Sequence, residues 1–546
     1  MMRTAAKFKR YPVPFFVAVV ALACTSGLVC VERLLAQQSP GGDAINGHSC
    51  TAEAIARVDE GKALAQVLAM DEARRVFEQA VTLDAECALA HWGLAITNLP
   101  WPGEAASRLA EARARDELAR AIAPRTQQER AHVQALAALF EPAADPFPLR
   151  QRAYRDALRR LVEAYPNDDD ASVWLALAEL SLSTAPGDEA AALAAAAVRD
   201  RFGKVPRHAG AAFVLLLAVD DPRADADARA IADVLARTAP TAPGPRHIAA
   251  RVYQQLGLWA EAARQDEAAL ALVTTPIGGR LLYGPERRWF IPESLLTSYV
   301  ELGRFEDAGT LLKTIDAALA HAGRAQEADV VERAHRARTR MRVRLALERQ
   351  DWSALRKLPR SAFADQDLEL VWFAQGLGAA RFAFPHQDAE AFAEARAAAT
   401  ELEDVARAAG PSSEAMRRWL LVRAAIAGGQ YERDEMTVML RQAQQIEGEL
   451  RASGQLPRPL VWADEVAGDL RLQVDEAGKA RLRYTDVLSK QPRRARAFLG
   501  LARAENALGN QAAARAAYRQ FLDVWAQADA GRPELLEARK FLGSTR

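Results

Sequence analysis

The stretch RHIAARVYQQLGLWAEAARQDEAAL, Arg246 to Leu270, decides the fold. Its apolar residues recur at three- and four-residue steps on both sides of Gly257, which reads as two helices joined by a glycine turn. Counted from Pro243, residues Ala250, Tyr253, Gly257, Trp259, Ala262 and Ala269 stand at positions 8, 11, 15, 17, 20 and 27. The spacing returns elsewhere in the chain. Counted from Trp289, residues Tyr299, Gly303, Phe305 and Ala308 stand at 11, 15, 17 and 20. From Val461, Gly468, Ala480, Tyr484 and Pro492 stand at 8, 20, 24 and 32; from Ala495, Gly509, Ala514 and Tyr518 stand at 15, 20 and 24. From Ala54, Gly61, Ala73, Phe77 and Ala80 stand at 8, 20, 24 and 27. The starts at Val461 and Ala495 are 34 residues apart. Small residues at 8 and 20 let two helices approach, glycine at 15 ends the first helix, aromatics fill the space between helices, and proline at 32 stops the second.

These positions closely resemble the tetratricopeptide repeat (TPR), a helix-turn-helix unit of 34 residues. The resemblance implies an all-α fold, an α-solenoid of helix-turn-helix repeats wound as a right-handed superhelix with a concave groove. It also implies a role in binding protein or peptide partners, although a fold alone never proves a function. The signature is fainter over 88–242 and 325–450, where helix pairs persist but spacings slip. The reading is ten to twelve helix pairs: an N-terminal TPR-like array over 51–324, divergent helical repeats over 325–456, and a C-terminal TPR pair over 457–546. The register breaks at Leu99–Gly103, at the insertion Thr274–Arg287, and at 452–459.

Composition fits a folded soluble protein, with 50% hydrophobic and 26% charged residues. Lys plus Arg equals Asp plus Glu at 71 each, a balance that argues against a nucleic-acid partner. Only 9 of the basic residues are Lys, so abundant Arg is a compositional habit more than a sign of anion binding. The N-terminus has the form of an export signal. Arg3, Lys7, Lys9 and Arg10 precede Tyr11 to Val31, 21 residues without a charge. Residues 1–36 are expected to act as a signal peptide, cut after Ala23 or Ala36, or to stay as a membrane anchor through residues 11–31. Residues 37–50 form a linker. The expected location is extracytoplasmic, periplasmic or secreted.

Glu86 to Ile96, ECALAHWGLAI, places Cys87 and His91 four residues apart on one helix. They could be half a metal site, a nucleophile beside its base, or structural residues. Neither Cys50 nor His48 gives a zinc-type spacing with them, and no HExxH or CxxC is present. In the TPR frame, Cys50 precedes the first helix of one unit and Cys87 opens the first helix of the next. Those helix ends meet, which makes a Cys50–Cys87 disulfide reasonable in an exported chain; two buried free thiols are the alternative. The segment is similar to one in exported bacterial TPR proteins with a Cys-x-x-Ala-His-Trp-Gly helix. That likeness bears on fold and compartment only.

In TPR proteins, positions 2, 5, 9, 12 and 13 of the first helix line the concave face. Carried over, the candidate groove residues are His247, Arg251, Gln254 and Gln255 in one unit, and Phe290, Glu293, Thr297 and Glu301 in the next. The resulting face is mixed and polar. The run ERAHRARTRMRVR puts Arg333, Arg336, Arg340 and Arg344 on one helical face with Arg338 and Arg342 beside it. It reads as a solvated face before it reads as a site for an anionic partner. Gly376–Gly378 lacks the rest of a nucleotide loop, and Asn167–Asp170 lacks the end of a calcium loop but suits a helix start. No constellation of nucleophile, base and acid appears, so the expectation is a scaffold without enzyme activity, cofactor or metal. The runner-up is the same array held at a membrane as a tether. An enzyme or solute-binding protein stands third.

Overall fold

The computed structural model describes residues 49–543, except 101–106, 122–123, 125, 185–186, 220–224, 239–240, 275–289, 323–327, 361–362, 364–366 and 454–458. The expected signal or anchor segment and most of the insertion after Thr274 lie outside the described residues.

Every regular element among the described residues is helical, and the helices follow one another in twelve pairs. Pairs 1 to 4 are Ala52–Ala65 with Met70–Leu83, Ala88–Ile96 with Arg108–Arg120, Gln127–Phe140 with Phe147–Ala164, and Asp169–Ser181 with Glu189–Phe202. Pairs 5 to 8 are Ala209–Ala218 with Ala228–Thr238, Pro243–Gln255 with Trp259–Thr274, Phe290–Glu301 with Phe305–Ala322, and Ala328–Arg349 with Trp352–Arg356. Pairs 9 to 12 are Leu368–Ala383 with Ala389–Ala409, Glu414–Gly429 with Arg433–Ala452, Ala463–Gln473 with Ala477–Lys490, and Ala495–Ala507 with Gln511–Val524. A single helix, Pro533–Gly543, closes the array. The chain is therefore an all-α solenoid of TPR-like helix pairs. No helix among the described residues is long and apolar enough to cross a membrane.

Local chemistry sets the helix ends. Thr51, Ser107, Thr126, Asp188, Asp388 and Ser413 each accept a first-turn N–H. Asp168 does the same for Ala171, so the acidic run at 167–170 is a helix start. Gly257 and Gly303 end the first helices of pairs 6 and 7 at φ +73° and +72°, a region that favours glycine.

Burial sorts the helices into two layers. Several first helices are buried nearly all round, such as Ala88–Ile96, all nine of whose residues are buried, and Ala209–Ala218. Second helices bury one stripe, such as Ala73, Phe77 and Ala80 in Met70–Leu83. First helices thus form the inner layer and second helices the outer. The position-24 aromatic joins one pair to the next. Phe77 lies so near Gly61 and Gly93 that a Cβ on them would stand 2.6 and 2.2 Å from its ring. Tyr484 repeats this between Gly468 and Gly500, at 2.7 and 2.2 Å. The glycine of the following pair is the half of this contact that the sequence reading omits.

The coil is tight enough to return on itself. Lys62 and Gln66 of pair 1 both donate to Asp170 of pair 4, at 2.8 and 2.6 Å. Further on, pair 12 and the closing helix share one apolar cluster with residues of pairs 6 to 8, from Trp259 to Leu345. Phe305 meets Trp525 edge-on at 5.8 Å. The described residues from Ala495 to Gly543 are therefore packed against pairs 6 to 8 rather than standing beyond them.

Candidate functional site

The inner layer is where TPR-like folds present side chains to a partner. Here the chain's own C-terminal pairs meet pairs 6 to 8 where the inner helices end. The intra-pair turns of pairs 6 and 7, shaped by Gly257 and Gly303, meet the connectors at 491–494 and 525–529. Trp259 Nε1 donates to Arg493 O at 2.9 Å, and Gln491 Nε2 donates to Gln254 O at 3.0 Å. Asp529 N donates to Gly303 O, and Asp529 Oδ2 accepts from Glu306 N, both at 3.0 Å.

At the centre of this seam lies Arg494, 2% exposed. Its Nη1 donates to Glu301 at 2.6 Å, and its Nη2 to Glu348 at 2.8 Å. Its Nε and Nη2 also grip both oxygens of Glu465, at 2.8 and 2.9 Å. The three carboxylates come from pairs 7, 8 and 11, and each is buried. Arg496 reaches Glu465 at 3.1 Å and Asp469 at 3.3 Å. Burial pushes the Glu301 carboxyl up to about 7, opposed by Arg494 and reinforced by Glu348 and Glu465. Burial also opposes charge on Glu465, yet Arg494 and Arg496 hold its carboxyl below the usual range. Unmet charge at this depth is costly, so the cluster is stable only while guanidinium and carboxylates stay together.

The other candidate groove residues are engaged within the array. His247 Nδ1 lies 2.9 Å from Asp266 Oδ1. Gln254 Nε2 donates to Ser294 and Ser298 of the next pair. Glu293 receives Arg340 through both oxygens, at 2.9 and 2.8 Å. The Thr297 hydroxyl donates to Glu293 O. Gln255 is half-buried and Arg251 is exposed; the side chain of Phe290 lies outside the described residues. The structure thus brings Gln254 and Glu301 to the seam and sets Arg251 within the electrostatic reach of Asp266.

The arginine run follows the same rule. Arg338 and Arg342 reach Asp316, at 3.6 and 2.7 Å, Arg336 pairs with Glu332, and Arg344 donates to Pro459 O. The side chain of Arg333 lies outside the described residues. The carboxylates of this chain already occupy much of the face that an anionic partner would need.

At the other end, Cys50 and Cys87 are joined by a disulfide with a Cα–Cα distance of 4.5 Å. Next to it, Ser49 donates through N and Oγ to the buried Glu129, at 2.7 and 3.0 Å. Its Oγ also accepts from Ala88 N at 3.1 Å. The bridge therefore ties the segment before pair 1 to the start of pair 2, and Ser49 ties it to pair 3. His91 lies between Glu117 Oε2, 2.8 Å from Nδ1, and Ala85 O, 3.1 Å from Nε2. Each ring nitrogen thus lies against an oxygen that accepts. His91 clasps its pair; it does not face Cys87 as a base. Trp92 packs edge-on against His132 and Trp174 at 5.7 and 6.0 Å.

No protein-family model matches the chain, and no curated protein matches it in sequence. Among solved structures it is similar to yeast Tom70, at 12% identity over 90% of this chain and 95% of that one, with a TM-score of 0.31. It is also similar to the TPR domain of P58(IPK), at 13% identity over 90% and 99%, with a TM-score of 0.21. A third likeness is to Naa15/Naa10 bound to HypK-THB, at 14% identity over 94% and 75%, with a TM-score of 0.21.

Proposed function

We propose that the chain is an exported, non-enzymatic scaffold that binds protein or peptide partners outside the cytoplasm, in cell-envelope assembly. The carrying observation is the run of twelve helix pairs, an architecture whose repeated surfaces suit extended partners. Export is supported by the basic start and the uncharged run at 11–31. The Cys50–Cys87 disulfide adds to it, since such bonds persist in oxidising compartments.

The test is affinity capture from an envelope extract on the immobilised chain. An enriched protein retained after salt washing supports the reading. No enriched protein, with a small molecule co-purifying instead, contradicts it. The 21-residue uncharged run also suits a span, so a membrane tether is the second reading. Mass measurement separates the two: loss of residues 1–23 or 1–36 favours the secreted form, and an intact chain that needs detergent favours the tether.

A further inference from the structure

The connector Gln491-Pro492-Arg493-Arg494-Ala495 is held by pairs 6 to 8 in the manner of a bound peptide. Its backbone is read twice. Pro492 O lies so close over Gly257 that a Cβ there would stand 2.4 Å from it. Arg493 O accepts the Trp259 indole N–H at 2.9 Å. One side chain is read as well. Arg494 enters between Glu301 and Glu348, and the Ala495 N–H points to Glu301 Oε2 at 3.4 Å. Glu465 completes the guanidinium's partners but belongs to pair 11, on the same side of the seam as the connector. The receiving half is thus a glycine that admits a backbone, an indole donor for its carbonyl, and two buried carboxylates.

Those carboxylates specify the cation. Two acceptors on different helices suit a planar fork with five N–H groups; an ammonium is a single point and cannot span them equally. We propose that Gly257, Trp259, Glu301 and Glu348 form a binding site for an arginine-bearing peptide, which the chain's own Gln491–Ala495 occupies in this conformation. A partner segment with a proline and an arginine in the same spacing competes for it. The proposal rests on the protein-binding reading above and names that partner's chemistry.

The probe is a fluorescent peptide, SKQPRRARA, copied from Ser489–Ala497, with two controls carrying Lys or Ala at the residue matching Arg494. Anisotropy is read on the full chain and on Arg494→Ala, in which the internal guanidinium is gone. The Arg494→Ala chain is expected to bind the arginine peptide about tenfold or more tighter than the unaltered chain does. The lysine peptide is expected to lose a comparable factor, and adding Glu301→Gln and Glu348→Gln to Arg494→Ala is expected to abolish binding. Should Arg494→Ala not fold, hydrogen exchange on the unaltered chain serves. Millimolar arginine peptide should speed exchange across Gln491–Arg503, and the alanine peptide should not. No binding to any chain, binding indifferent to Glu301 and Glu348, or unchanged exchange overturns the proposal. A partner captured from envelope extract and not displaced by the peptide would leave the scaffold reading standing and remove this one.

Discussion

Arg494 donates to Glu301 at 2.6 Å across 193 residues of sequence, and that contact joins the end of pair 7's first helix to the start of pair 12. Both residues sit on first helices or their starts, in the layer that a solenoid usually offers to its partners. Of the residues that look like a groove when read one unit at a time, Gln254 and Glu301 here face pairs 11 and 12.

Removing Arg494 leaves Glu301, Glu348 and Glu465 buried without their shared guanidinium. Arg494→Ala should cost about 3–5 kcal/mol at the seam, and Arg494→Lys less, since it keeps charge but not the fork. Repeat arrays lose cooperativity locally, so the loss should fall on pairs 6 to 12. Urea unfolding followed by hydrogen exchange checks this; protection in pairs 1 to 4 should be unchanged.

Glu301 makes the seam sensitive to pH. Its carboxyl is raised from 4.5 to about 7, so the folded chain binds more protons than the unfolded chain between those values. The stabilisation is full below the unfolded value and is lost as pH rises through the folded one. Glu465 is shifted the other way, and its contribution is lost only as pH falls below the ordinary carboxylate range. Urea midpoints at pH 5 and pH 8 should therefore differ, with pH 5 favoured by on the order of 1–3 kcal/mol from this group. Glu301→Gln should flatten the difference; Glu447, also raised by burial, supplies a remainder of the same sign.

The Cys50–Cys87 disulfide closes a loop with a sequence separation of 37 and fixes Ser49 against Glu129 and Ala88. Cys87→Ser should cost about 2–4 kcal/mol, felt at pairs 1 to 3. Reductant should lower the stability of the unaltered chain by a similar amount and leave the variant unmoved. Equal responses would contradict the assignment.

Gly93 and Gly500 should tolerate no side chain. A Cβ on either would stand 2.2 Å from an aromatic ring buried between pairs, Phe77 or Tyr484. Gly93→Ala and Gly500→Ala should each cost about 1–3 kcal/mol by overpacking. Gly478→Ala, where a Cβ meets nothing within 4 Å, is the control and should be near neutral.

The fold was legible because its determinants are local. The glycine at 257, the small residue at 250 and the aromatic at 259 act within one unit, and their spacing survives in the sequence. Even the Cys50–Cys87 contact joins neighbouring units and could be placed by register. The site was not legible in the same way. Gln254 and Glu301 were read by position as lining a groove for a partner, whereas Gln491 and Arg494, which they meet, come from pairs 11 and 12 of the same chain. That approach depends on how far each pair rotates from the last, a quantity set by packing at every junction and carried by no single residue. The only available signal was chemical: buried first-helix positions holding Glu301, Glu348 and Glu465 require cations, and Arg494 opens a first helix where the repeat places no charge requirement. His91 was legible as a residue out of place but not as a clasp, because Glu117 lies beyond the register break at 99–103.

The closure itself can be tested by joining the seam where Glu306 N meets Asp529 Oδ2 at 3.0 Å. In the full chain with Glu306→Cys and Asp529→Cys, mild oxidation should consume both new thiols within one molecule, without dimer formation, because the Asp529 side chain reaches the Glu306 backbone. The Arg494→Ala form of the same chain should react more slowly. Thiols that stay free, or that form only links between molecules, would show that the C-terminal pairs do not rest on pairs 6 to 8 and would contradict the account at its base.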